Sequence, residues 1–206
     1  MKILLTGFEP FGEKDINPSQ MVVDAISGQK YSETELVKAL LPVHHNLGPK
    51  TLNTLLKEQE PDAVIAFGLA TGRPKISLER LAINWMDYRI ADNAGIKINN
   101  QPIFMDAPAA YFATLPIESM HEALNKENIP GEISLSAGTY LCNQVFFTLM
   151  HEISVQKLRI KAGFIHLPAL PEQAANSEKV IPSMSLDMEI MAAQIMITQL
   201  IQSLQE

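Results

Sequence analysis

The chain has 206 residues, 47% of them hydrophobic and 19% charged, the proportions of an ordinary soluble globular unit, and a single domain over residues 1–206 is expected. Its net charge of −7 and dispersed Lys and Arg leave no basic stripe for nucleic acid, and its one cysteine, with no CxxC or HExxH spacing, speaks against an internal disulfide and a metal site. No window approaches the roughly 18 uninterrupted apolar residues of a membrane span, and MKILLTGFEPFG lacks the basic flank and long apolar stretch of a signal peptide, so a cytoplasmic location is expected.

KILLT (2–6) predicts a short buried strand, and GFEPFGEKDINPS after it carries Gly, Pro, Asn and Asp in loop proportions. Asn17 before Pro18 predicts a helix start, because Asn accepts from orphan N–H groups and proline suits the first helical position; the helix should run to about Ser27. ELVKALLPV (35–43) is strand-like, NLGPKTLNTLLKEQE (46–60) has Leu52, Leu55 and Leu56 at helical spacing, and DAVIAFGLA (62–70) is again an apolar strand. Residues 71–115 break this alternation and predict strands around ISLERLAINW followed by an exposed excursion. PIESMHEALNKEN (116–128) then predicts an amphipathic helix, EISLS a strand, YLCNQVFFTLMHEI (140–153) a helix and IKAGFIHLP (160–168) a last buried strand. The long C-terminal helix (185–205) carries Met191, Ile195 and Leu200 on a surface that suits either the core or a subunit contact. Strands alternating with helices imply an α/β fold with a mostly parallel sheet covered on both faces, in which ligands gather beyond the carboxyl ends of the strands.

Cys142 stands about two residues into a predicted helix, with Thr139 placed as its cap. A helix start favours thiolate and offers N–H groups to an oxyanion, whereas cysteine in general packs as a small buried hydrophobe. A nucleophilic thiol needs a base. His121 shares a helix face with Ile117 and Leu124, His151 falls in a last turn where it complements the dipole, and His44 and His45 follow a strand. His166 ends the strand after the Cys142 helix, where a right-handed crossover would bring it to the helix start, and this ranks it narrowly above His44. For an acid, Glu79 lies in an apolar strand-like run; alternation works against pairing with adjacent Arg80, and Asp87 and Asp92 are loop competitors. GFEPFG and GLATGR match neither GxxxxGK[ST] nor GxGxxG, which disfavours nucleotide binding. Phe8 and Phe11, three apart in the first loop, either wall an apolar pocket or anchor the loop on the core.

TGFEPFG (6–12), INPS (16–19), ERLAIN (79–84), RIADN (89–93), PAAYFATLPI (108–117), SAGTYLCN (136–143) and FIHLPALPEQ (164–173), in this order, resemble the pyroglutamyl peptidase I family of cysteine peptidases. The resemblance implies a three-layer α/β/α sandwich with a mostly parallel mixed sheet, and hydrolysis of the amide bond after an N-terminal pyroglutamyl residue of peptides and proteins through a thioester. It places the catalytic set on Glu79, Cys142 and His166 and substrate contacts on Phe8, Phe11, Arg89 and Tyr140, and it implies a homotetramer and neither cofactor nor metal. Thr71 and Ala107 stand where glycine is common, Ala91 where proline is usual, Gln144 where histidine is frequent, and Leu69 at a position polar in some relatives. Pyroglutamate is a neutral lactam without a free amine, so an apolar slot with a few backbone hydrogen bonds suffices to hold it. A nucleoside-phosphorylase-like transferase, dependent on phosphate, and a non-catalytic module that binds a cyclic amide are the rival readings.

Overall fold

KILLTGF forms β1 (Lys2–Phe8), longer than the sequence predicts because Gly7 and Phe8 go on pairing with Leu40 and Leu41 of β2 (Glu35–Leu41). Phe8 therefore ends a strand rather than sitting in a loop. This computed structural model describes residues 1–12, 15–26, 31 and 34–206. Asn17 caps α1 (Pro18–Ala25) by accepting from the Ser19 N–H, as expected; the helix end placed at Ser27 lies outside the described residues. The chain continues through α2 (Leu47–Gln59), β3 (Ala63–Leu69), β4 (Ile76–Glu79), β5 (Leu81–Ile83), β6 (Ala110–Phe112), α3 (Ile117–Lys126) and β7 (Gly131–Ser134). It closes with α4 (Leu141–Gln156), β8 (Lys161–Leu167), the short α5 (Pro171–Ala175) and α6 (Leu186–Gln205).

Six strands form one sheet in the order β2-β1-β3-β8-β4-β7. The first four are parallel, while β4 runs antiparallel to β8 and parallel to β7. Alternation along each strand divides the side chains between two cores. Ile3, Leu5, Ile65, Phe67 and Ile165 meet Val22, Met120, Leu124, Met196 and Ile197 from α1, α3 and α6. Leu4, Phe8, Val64, Ala66 and Phe164 meet Leu52, Leu56, Val145, Phe146 and Leu149 from α2 and α4. Two helical layers thus enclose the sheet, each fully buried Leu, Ile or Phe contributing about 1.5–3 kcal/mol. The parity has a chemical consequence. It puts Gly68, Glu79 and His166 on the α4 side of the sheet, in step with Ala66, Ser77 and Phe164.

The last helix covers the core with Ala192, Ala193, Met196, Ile197 and Leu200, and Met191 faces outward. Its apolar face contains one acid. Glu189 is fully buried, neither of its carboxyl oxygens has a hydrogen-bond partner, and burial pushes the carboxyl pKa up to about 9. Residues 84–109 make no helix or strand beyond an isolated Met86–Gln101 bridge, yet Met86, Tyr88 and Asp92 within them are buried. The excursion is therefore only partly exposed. Asn84 ties it together, accepting from the N–H groups of Ile103 and Phe104 and donating to the Phe104 carbonyl at 2.7 Å. Among the described residues no helix is long and apolar enough to cross a membrane.

Candidate active site

The carboxyl ends of β3 and β8 lie side by side, with Gly68 paired in register with His166. The first turn of α4 rests on this spot: a Cβ added at Gly68 would lie 3.0 Å from Cys142 Sγ and 2.7 Å from the Phe164 ring. Only a residue without a side chain lets the thiol sit over the strand beside the imidazole. Gly68→Ala is accordingly expected to lower turnover about 10–100-fold, since a displacement of about 1 Å is enough for that. Activity and urea midpoint measured together check it, because a stability loss with unchanged turnover would show that only Phe164 had yielded.

His166 reaches this place by a different route from the one the sequence suggests. The right-handed crossover rule concerns parallel neighbours, whereas β7 is antiparallel to β8 and separated from it by β4. What brings His166 back is the short turn from α4 into β8, which sends the strand up alongside the helix toward the helix start. Opposite it, β4 delivers Glu79, buried, whose Oε1 lies 2.7 Å from His166 Nδ1. Burial raises the Glu79 pKa, but the hydrogen bond and charge of His166, the Ser134 hydroxyl and the Arg73 guanidinium outweigh it and hold the carboxyl below its ordinary value. An ionised Glu79 accepts from the Nδ1–H and leaves Nε2 of a neutral imidazole as the proton acceptor. Burial lowers the His166 pKa against the pull of Glu79.

The thiol departs from the expectation of a helix start that favours thiolate. Burial, then the Glu79 carboxylate, push Cys142 up to about 12, with its own backbone N–H and Arg73 opposing them more weakly. Desolvation of the thiolate outweighs the helix dipole here. The cap also differs: Tyr140, not Thr139, occupies the N-cap and makes no side-chain cap bond. No N-cap side chain therefore competes for the first N–H groups of α4. Thr139 instead donates its hydroxyl to the Asp87 carbonyl at 2.8 Å.

Four more side chains fasten this helix start to the excursion and the strand ends. Asn143 accepts from the Ile83 N–H and donates to the carbonyls of Ile83 and Trp85, and the Tyr140 hydroxyl donates to the Ala91 carbonyl. Gln144, buried, accepts from the Tyr88 hydroxyl and donates to the His45 carbonyl at 2.9 Å. Arg73 donates to Glu79 Oε1 at 2.5 Å and to the Ser136 carbonyl at 2.7 Å. Arg80, the sequence neighbour of Glu79, pairs with Glu118.

Two cavities open at Cys142. A narrow apolar one is lined by Phe8, Phe11, Val43, Leu69, Tyr140 and Leu141, with Asn17 as its polar member. A groove of about 690 Å³ holds both Cys142 and His166 and runs past Arg73, Asp87, the exposed Arg89 and Thr139. Of the catalytic and substrate-contact residues expected from the sequence, Phe8, Phe11, Arg89, Tyr140, Cys142 and His166 line one cavity or the other, and Glu79 stands behind His166. The rival bases lie elsewhere. His45 stacks on His44 and bonds Asp92 at 2.8 Å, and His151 bonds the Tyr111 hydroxyl, outside both cavities. Among the described residues only His44, His45 and Asp92 place ligand atoms within 4.8 Å of one another for a metal. Both Asp92 oxygens already accept from N–H groups of His45, Ala94 and Ile96, which, against burial, hold its pKa down to about 2.

The family model for pyroglutamyl peptidases matches residues 1–203. The chain belongs to the pyroglutamyl peptidase family. It is 45% identical over 201 residues to the pyrrolidone-carboxylate peptidase of Thermococcus onnurineus, spanning 96% of this chain and 97% of that one. Its structure matches pyrrolidone carboxyl peptidase of Pyrococcus furiosus with a TM-score of 0.95 at 41% identity, over 99% of this chain and 100% of that one. Pyroglutamyl peptidase I of Bacillus amyloliquefaciens gives 0.92 at 39% identity, over 97% and 96%. For a pyroglutamyl peptidase, the departures noted in the sequence are accommodated quietly. Ala91 and Ala107 contribute backbone carbonyls, to Tyr140 and to Asn84, which any residue could supply. Gln144 serves as a bridge between two segments, and Leu69 adds apolar wall to both cavities. Arg73 is the site residue that the sequence reading missed; the clue was a lone Arg in a Gly-containing turn six residues before a buried acid.

Proposed function

We infer that this cysteine-type hydrolase cleaves the amide bond after an N-terminal pyroglutamyl residue of peptides and proteins, with Cys142 as nucleophile, His166 as base and acid, and Glu79 as the group that orients the imidazole. The observation that carries the reading is an imidazole bonded through Nδ1 to a buried carboxylate and opening onto the same groove as the thiol, beside an apolar pocket. The neutral lactam ring enters between Phe8, Phe11 and Tyr140, and the rest of the peptide lies along the groove past Arg89. The resting pair is thiol and neutral imidazole, so the Sγ proton passes to Nε2 as sulfur attacks the carbonyl. The N–H groups at the start of α4 hold the oxyanion. Collapse breaks the C–N bond, the imidazolium gives its proton to the departing amine, and a thioester remains. Water, deprotonated by the same nitrogen, then hydrolyses the thioester to free pyroglutamate and returns the thiol.

Release of a fluorogenic amine from its pyroglutamyl amide, with and without thiol alkylation, tests this; no release by reduced protein would sink it. The phosphorylase-like and non-catalytic readings receive no support from the comparisons. A homotetramer and a cytoplasmic location belong to the same proposal. Exposed Met105 and Phe112 offer apolar surface for subunit contact, and light scattering across a dilution series gives the assembly state.

A further inference from the structure

We propose that Arg73 is a positioning residue of the reaction, clamping the Glu79 carboxylate and the Ser134–Ser136 turn that leads to Cys142 into one fixed arrangement. The inference rests on the catalytic reading above. One arm of the guanidinium donates to Glu79 Oε1 at 2.5 Å and to the Ser134 hydroxyl at 3.3 Å; the other donates to the Ser136 carbonyl at 2.7 Å. The oxygen it holds is the one that faces His166 Nδ1, and the second oxygen, Oε2, is buried without a partner. Without Arg73 only the imidazole and the Ser134 hydroxyl would hold the carboxylate, and the charged link from it to the Ser136 carbonyl on the chain entering α4 would be lost. From Ser136 that chain turns through Gly138, at φ +78°, and reaches the thiol four residues later.

An ordinary exposed ion pair does not have this construction, because Glu79 is fully buried and the Arg73 side chain is only 28% exposed. Arginine suits the task as lysine does not: its planar fork presents two donors at fixed separation, whereas an ammonium is a point charge. The clamp also acts through space. The groups that face His166 are Glu79 from β4, Cys142 from α4 and Arg73 from the turn between β3 and β4, with Asp87 and Arg89 farther along the groove. Glu79 favours the imidazolium and Arg73 opposes it.

The test compares the wild type, Arg73→Met and Arg73→Lys by the pH dependence of kcat/KM on a pyroglutamyl amide and by NMR titration of the His166 imidazole. In Arg73→Met the opposing charge is gone, so the imidazole pKa and the acid limb of activity should both rise, with kcat down about 10–100-fold. Arg73→Lys should keep the acid limb in place and still lose kcat, because charge is retained and the fork is not. A merely structural arginine would lower the urea midpoint and move neither titration. An unmoved imidazole in Arg73→Met overturns the proposal, as does full kcat in Arg73→Lys, which also decides the matter if Arg73→Met does not fold. A wild type without turnover would instead count against the catalytic reading, and the NMR titration would still judge the clamp.

Discussion

Cys142→Ala is expected to lower kcat/KM toward a pyroglutamyl amide by about 10⁴-fold or more, the scale on which removal of a covalent nucleophile is felt. The fold should survive, because loss of one sulfur atom from a partly accessible position removes little packing; a midpoint shift equivalent to about 1 kcal/mol is the expected ceiling. Amine release and urea unfolding on the same preparation give both numbers, and a variant within tenfold of the wild type would exclude the thiol as nucleophile. His166→Ala should fall nearly as far, since the thiol at a pKa of about 12 has no other route to thiolate near neutrality. Glu79→Gln should be milder: an amide still occupies the place beside Nδ1 but neither enforces the tautomer nor supports the imidazolium. A larger loss in Glu79→Gln than in His166→Ala would contradict the orienting role.

The second large effect concerns stability, and it lies far from the chemistry. Glu189 has a folded-state pKa of about 9, above the 4.5 of a free carboxyl, so the folded protein binds a proton that the unfolded chain releases. The contribution is therefore fully present below pH 4.5 and is lost as the pH rises through about 9, at up to about 1.4 kcal/mol per pH unit. Across that window the loss is about 6 kcal/mol, a large share of an ordinary folding free energy. Glu189→Gln keeps the shape and has no proton to take up. It should raise stability by about 3 kcal/mol at pH 7, by more at pH 9, and hardly at all at pH 4.5. Urea titrations of both proteins at the three pH values provide the check; parallel curves would mean that Glu189 finds a partner or water on ionisation.

Why the sequence shows some of this and hides the rest can be seen residue by residue. Leu52, Leu55 and Leu56 at helical spacing and the apolar run AVIAFGL announce elements because each signal lies within one element. Cys142, Glu79 and His166 stood out because each is a reactive type in an unusual setting. The bonds of Asn143 and Gln144 could not be read, since each joins residues about 60 to 100 positions apart and leaves no local period. The thiol's pKa runs opposite to the helix-start effect for a reason of magnitude: the helix start is local and visible, and the burial that outweighs it is a property of the assembled site. Thr139 resembles a cap in sequence, but its hydroxyl is claimed by Asp87, 52 residues upstream. For His166 the expected place was reached although the crossover argument did not apply, because a helix and the strand that follows it must run oppositely when the turn between them is short.

The presence of a single sulfhydryl in 206 residues, lining the groove, makes the protein its own reporter. A thiol-directed haloacetamide meets one sulfhydryl, so the mass increment of the intact chain counts accessible site thiols, with no background from other thiols to subtract. Turnover can then be expressed per functional centre rather than per polypeptide, and a fluorophore placed there reports pocket occupancy from one defined position.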